Sequence, residues 1–166
     1  MFATGFPAVT SISDASVTVS AQISEPGRVH IAVVPATAGT AHTVSASNVV
    51  EGAVGDAIGT ANAAVHSADE TAAVTIASVL APATTYVAVV AANDNADPGN
   101  VQGAPTLLTF TTAPDTTPPV FEPGFPRVVA VDDSSASAEV LLNEASDVFF
   151  AVRGVVTCRG VCRCAR

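Results

Sequence analysis

The sequence holds two places where residue type and spacing bear on chemistry. "NDNADPGN" runs from Asn93 to Asn100 and offers four oxygen-bearing side chains, Asp94, Asn95, Asp97 and Asn100. Calcium takes oxygens of this kind, but the spacing is not that of an EF-hand and no distal bidentate Glu follows. Asx, Pro and Gly are also what a solvated hairpin loop requires. The second place is the tail "VVTCRGVCRCAR", which carries all three cysteines, Cys158, Cys162 and Cys164. Cys-x3-Cys-x-Cys supplies three soft ligands without a fourth, so a metal or redox knuckle and a disulfide with one thiol left over both stay open. A third reading is that the chain departs here from its domain pattern.

The histidines add little to either place. His42 and His66 have no Cys, Asp or Glu at ligand spacing on a common face. His30 lies in a strand-like stretch and reads as a packing or surface position. No Gly-x-Ser-x-Gly elbow and no phosphate-binding Gly loop occurs. The expectation is a non-enzymatic chain without catalytic residues, cofactor or resident metal.

The elements that position these groups follow from pattern. Val and Ala dominate the apolar residues, Trp is absent, and eleven Pro and eleven Gly interrupt the chain. Short Val-, Thr- and Ile-rich runs between such breaks favour strands. Alternation predicts strands at Val9–Ile12, Ser16–Ile23, Arg28–Val34, Ala57–His66, Thr71–Val79, Thr85–Ala92 and Thr106–Thr112. The stretch from Pro35 to Gly55 reads as irregular, with Asn48 and Glu51 as caps of one helical turn. Thr85–Ala92 is almost wholly apolar and reads as a central strand. Seven short strands in about 112 residues indicate an antiparallel sandwich.

The chain also begins twice. Phe2 set against Phe121 gives an offset of 119, and 11 of the 32 positions from Phe2 to Val33 are then identical without a gap. Among them are Gly5-Phe6-Pro7 with Gly124-Phe125-Pro126, Asp14 with Asp133, Ser16 with Ser135 and Glu25 with Glu144. His30 meets Phe149, a slot filled by either residue and so hard to reconcile with catalysis. The period is too long for a solenoid unit and suits a string of domains. The expected organisation is a complete unit at 1–113, a Pro/Thr linker at 114–120, a partial second repeat at 121–152 holding the first three strands, and an atypical Arg/Cys tail at 153–166. An extended linker of that length spans roughly 20 Å.

"LAPATTYVAVVAAN", Leu80 to Asn93, resembles the fibronectin type III pattern Leu-x-Pro-x-Thr-x-Tyr through Leu80, Pro82, Thr84 and Tyr86. The resemblance implies an immunoglobulin-like sandwich whose sixth strand is entered by a tyrosine corner, formed here by Leu80, Pro82 and Tyr86, with the hydroxyl bonded to backbone near Ala81. The family usually places a Trp in its second strand; this chain has none, and Phe6 and Phe110 are expected to supply that volume. The overall expectation is all-β: a seven-strand antiparallel fibronectin type III-like sandwich followed by the truncated start of a second copy. The resemblance implies a tandem-repeat module of a large extracellular or cell-surface protein, with spacer or adhesion roles. Neighbouring repeats are its expected partners, alongside protein or glycan ligands. An accessory, carbohydrate-binding module of a secreted hydrolase is the alternative.

Charge bears on the partner classes. All fifteen acids and only Arg28 and Arg127 among the cations precede Arg153, a net of −13 over residues 1–152. Such a surface repels nucleic acid and anionic lipid. No run approaches the roughly 20 apolar residues needed to cross a bilayer, so membrane insertion is not expected. Nothing at the start reads as a secretory signal, so an extracellular setting requires a signal outside these residues.

Overall fold

A computed structural model describes residues 1–37, 44–97 and 99–153. His42 and the three cysteines lie outside them. The chain divides into two units, Met1–Thr116 and Thr117–Arg166.

Unit 1 is an antiparallel β-sandwich. Its strands are β1 (Ala8–Ile12), β2 (Ser16–Gln22), β3 (Gly27–Pro35), β4 (Gly59–Val65), β5 (Thr71–Ala77), β6 (Thr85–Asp94) and β7 (Thr106–Thr111), with one short helix, α1 (Ala46–Val50). One sheet has the order β1-β2-β5, the other β4-β3-β6-β7. Alternation along β2 and β5 is strict: Val17, Val19 and Ala21 point inward with Ala72, Val74 and Ile76, and Ser or Thr points out. One side of this sheet meets the core and the other meets water, which imposes period two on the sequence. Val29, Ile31 and Val33 of β3 and Tyr86, Ala88, Val90 and Ala92 of β6 face them from the second sheet. Phe110 joins this core, and Phe2 packs against it, whereas Phe6 is half-buried. The expected pair of aromatic fillers is thus replaced in part by Phe2.

The other face of the second sheet is also covered. Ala32, Val34, Val87, Val89 and Ala91 form a second buried cluster with Ala46, Val49 and Val54. Helix α1 and the residues after it lie over β3 and β6, so β6 is apolar at almost every position. The helix starts at Ser45, whose Oγ accepts the Asn48 N–H at 3.2 Å, and Glu51 ends it. Ser45, rather than Asn48, is therefore the N-cap; a hydroxyl there satisfies a first-turn N–H that has no partner within the helix.

Close approach fixes one glycine. A Cβ on Gly27 would meet the Asn93 carbonyl oxygen, so the start of β3 lies against β6 only without a side chain.

Unit 2 contains β8 (Arg127–Val131) and β9 (Ala136–Glu139), paired antiparallel. The third strand expected near Val148–Val152 is not formed: residues 144–153 carry no strand. Unit 1 supplies the reason. There the matching strand, β3, is held by β4 and β6 and pairs with neither β1 nor β2. Unit 2 presents no counterpart of β4 or β6 among the described residues, so a third strand has no ladder to join.

Candidate functional site

The tyrosine corner is a network that joins the entry to β6 with the end of β7. Tyr86 is buried, and its ring lies 5.8 Å from that of Phe110. The Ala81 N–H donates to Tyr86 Oη at 2.9 Å. The hydroxyl therefore accepts from the Ala81 backbone, the place to which the resemblance assigned its bond. Thr112 completes the corner. Its Oγ1 accepts the Thr84 N–H at 2.9 Å and donates to the Ala81 carbonyl at 2.7 Å, with the Thr84 carbonyl at 3.1 Å. Thr112 is 3% exposed, and its hydroxyl both donates and accepts. Leu80 is buried beside it in the core, and the Pro82 carbonyl accepts the Thr84 hydroxyl at 2.8 Å. Sequence reasoning found Leu80, Pro82 and Tyr86 but not Thr112, because a Thr ending a Thr-rich strand carries no distinguishing signal.

Asp94 organises its own loop. Its Oδ1 accepts the N–H groups of Ala96 and Asn100 at 3.1 and 2.7 Å, and its Oδ2 accepts the Asn100 side-chain amide at 2.7 Å. The Asn100 side-chain bond, followed by the Asn100 backbone bond, holds the carboxyl below its ordinary value. Both oxygens thus already accept hydrogen bonds from the loop's own donors. Asn95 and Asp97 are exposed on the same loop. Among the described residues, no three of His, Cys, Asp and Glu converge as metal ligands.

His30 bonds through Nε2 to Asn93 Oδ1 at 2.9 Å. Burial is the main cause that lowers its pKa. The pair ties the middle of β3 to the end of β6, and among the described residues no acid or nucleophile bonds to the imidazole. His66 donates its backbone N–H to Glu70 Oε2 at 2.7 Å, so that part of the chain serves the turn into β5.

The most informative arrangement recurs. Every pairing of the β1–β2 hairpin reappears in β8–β9 at an offset of 119. Ala8↔Ser20, Val9↔Val19, Ser11↔Thr18 and Ile12↔Val17 become Arg127↔Glu139, Val128↔Ala138, Ala130↔Ser137 and Val131↔Ala136. The ladder slips at the same place in both, between Val9 and Ser11 and between Val128 and Ala130. The isolated bridge Phe2↔Ile23 has its copy in Phe121↔Leu142. Ala3 N–H to the Gln22 carbonyl at 2.9 Å becomes Glu122 to Leu141 at 2.9 Å; Ser24 to Met1 at 3.1 Å becomes Asn143 to Val120 at 3.1 Å. Gly5 and Gly124 stand at φ +85° and +87°, backbone that glycine adopts without penalty. Sequence identity covers about a third of these positions, so the backbone recurs well beyond the identical residues.

The copies differ at the turn. Ser13 Oγ accepts the Ala15 N–H at 3.2 Å in the first. In the second, Asp132 Oδ1 accepts from the Ser134 and Ser135 N–H groups at 2.9 and 2.6 Å, and Oδ2 from the Ser135 hydroxyl at 2.7 Å. These bonds, that from the Ser135 hydroxyl first, lower the Asp132 pKa to about 2. Arg127 and Glu139 add a surface ion pair at 2.6 Å across β8–β9.

No family model matches the chain, and no curated protein matches it. A solved structure of a computationally redesigned β-sandwich protein is similar at 17% identity, over 65% of this chain and 90% of its own length, with a TM-score of 0.38.

Proposed function

We infer that the chain is a non-enzymatic repeat module, one complete sandwich followed by the opening hairpin of a second, serving as a spacer or adhesion element of a multidomain extracellular or cell-surface protein. The observation that carries this reading is the bond-for-bond recurrence of β1–β2 in β8–β9. A catalytic scaffold gains nothing from repeating its first hairpin, whereas a string of modules repeats by construction. The finer reading, fibronectin type III-like, is supported by the place of Tyr86 at the entry to the sixth strand and by its bond to Ala81. The extracellular setting rests on that resemblance.

The mechanism is mechanical. Each sandwich is a stiff body in which β3 and β6 are paired on both edges, and the Pro- and Thr-containing segment between copies sets their spacing. Antibody raised against unit 1 tests the setting on intact cells of the source organism. Surface labelling before permeabilisation supports the reading; labelling only afterwards refutes the extracellular part of it. Glycan arrays probed with the whole chain address the carbohydrate-binding alternative, and selective retention of one glycan class would favour it.

A further inference from the structure

The outer face of the second sheet of unit 1 carries two kinds of residue. Helix α1 lies over its apolar part, Ala32, Val34, Val87, Val89 and Ala91. Beyond the helix the same face carries Arg28, His30, Asn62 and Asn93, which the register sets side by side, Arg28 opposite Asn93 and His30 opposite Asn62. Between the end of α1 and this group lies a hollow of about 200 Å³, bordered by His30, Thr60, Asn62, Val50, Glu51 and Gly52. Contact with water does not by itself account for this composition. The outer face of the first sheet is also wet, and β2 and β5 present only Ser, Thr, Ala and Gln there. Arg28, by contrast, is the sole Lys or Arg in residues 1–116.

Hydrogen bonds within the group fix which atoms remain for a ligand. Arg28 can only donate, and its Nη1 bonds Asn62 Oδ1, so the Asn62 amide presents its two N–H hydrogens. Asn93 Nδ2 donates to the Asp94 carbonyl at 2.9 Å, so its Oδ1 accepts from His30 Nε2. Burial keeps His30 neutral at pH 7, and with its hydrogen on Nε2 the other ring nitrogen, Nδ1, is an acceptor. The exposed Glu51 carboxylate is a second acceptor. Among the described residues, the Asn62 N–H groups, His30 Nδ1 and the Glu51 carboxylate have no partner. An anion would meet Arg28 and the amide, but also Glu51 and the His30 lone pair. A cation would meet Arg28. A hydroxyl donates and accepts at once, so adjacent hydroxyls on one ring satisfy both sets without adding charge. The hollow is smaller than the roughly 300 Å³ at which pockets begin to enclose drug-sized ligands, which suits a single ring laid against Val50 and Gly52. We propose that this hollow binds one hexose unit of a neutral oligosaccharide through adjacent hydroxyls, Arg28 and Asn62 donating to their oxygens, His30 and Glu51 accepting their hydrogens. This inference rests on the adhesion side of the reading above and gives it a ligand class and a place.

The test titrates the isotope-labelled full chain with mannotriose, cellotriose and laminaritriose. Sodium acetate and a neutral, end-blocked peptide of Gly and Ala are the anion and peptide arms. At least one trisaccharide should give saturable shifts, at millimolar concentration, of the His30, Glu51 and Asn62 amides. Asn62→Asp keeps the acceptor for Arg28 and removes the N–H donors; Glu51→Gln keeps the shape and removes the charge. Both residues are exposed, and each change should weaken binding at least about fivefold. Thr75→Ala, on the outer face of the other sheet, should leave it unchanged. The proposal is overturned if no trisaccharide saturates, or if neither site variant changes the affinity. Saturation by acetate alone would make the hollow an anion site, and by the peptide alone a peptide site; either result also overturns it. Surface labelling of cells, as above, separates the two levels. Labelling without trisaccharide binding defeats only this inference, and binding without labelling supports the site while defeating the extracellular setting.

Discussion

Tyr86 and Thr112 hold the same backbone segment from two sides, and that makes their loss measurable. Tyr86→Phe leaves the part-buried bond from the Ala81 N–H without its acceptor. The expected cost is about 1–2 kcal/mol, or roughly 4–8 °C of melting temperature per kcal/mol for a domain of this size. Thr112→Val should cost at least as much, because it orphans the Thr84 N–H and the Ala81 carbonyl. The double variant should fall short of the sum, since both side chains fix Ala81. Additive losses in denaturant titrations would show two independent bonds rather than one corner. Asp132 gives a second prediction at this scale. Its folded pKa, about 2, lies below the ordinary 3.8, so the stability it lends the β8–β9 turn is present above about pH 4 and lost as pH falls through 2. The Ser135 amide resonance should titrate over that interval, and Asp132→Ser, which copies Ser13, should abolish the change. The tyrosine motif was legible because the ring's burial and bond constrain several neighbours in sequence. Thr112 was not, because its role depends on a chain reversal 28 residues away from Thr84.

Strands were legible wherever one face is buried. In β2 and β5 the alternation of Val or Ile with Ser or Thr records a core on one side and water on the other. β6 was legible for the opposite reason, since cover on both faces removes the alternation. The cover itself was not. Helix α1 has five residues, too few to display a period of 3.6, and only Ala46 and Val49 of it are buried. The third strand of the second copy was misread because identity at Val148, Ala151 and Val152 implies a strand only where a ladder exists. Gly27 makes the same point in space. Its offset counterpart is Ser146, and no strand runs beside that residue among those described. Gly27→Ala sets a methyl against the Asn93 carbonyl and should open the β3–β6 pairing at Gly27↔Asp94. The expected outcome is a destabilisation of about 1–3 kcal/mol, with faster amide exchange at Asn93 and Asp94. An unchanged unfolding midpoint would show that the two strands separate without cost.

Taken whole, the molecule has one body with a closed two-sheet core and a second in which a hairpin repeats the first body's beginning. Among the described residues, nine of the thirteen large apolar residues left exposed fall from Val120 to Val152. A lone hairpin with an uncovered apolar face is marginal in water, whereas seven strands enclosing a continuous core are not. The two bodies should therefore differ in protection. Amides of Val87–Ala92 should exchange only with global unfolding, and those of Ala136–Glu139 by local opening. Thermal unfolding of a chain shortened to Met1–Thr116, beside the full chain, tests the modular account most directly. The account predicts a single cooperative transition at the same midpoint in both. A shortened chain that fails to fold, or melts several degrees lower, would show that the units share one core, and the description as a module followed by the opening of its repeat would be wrong.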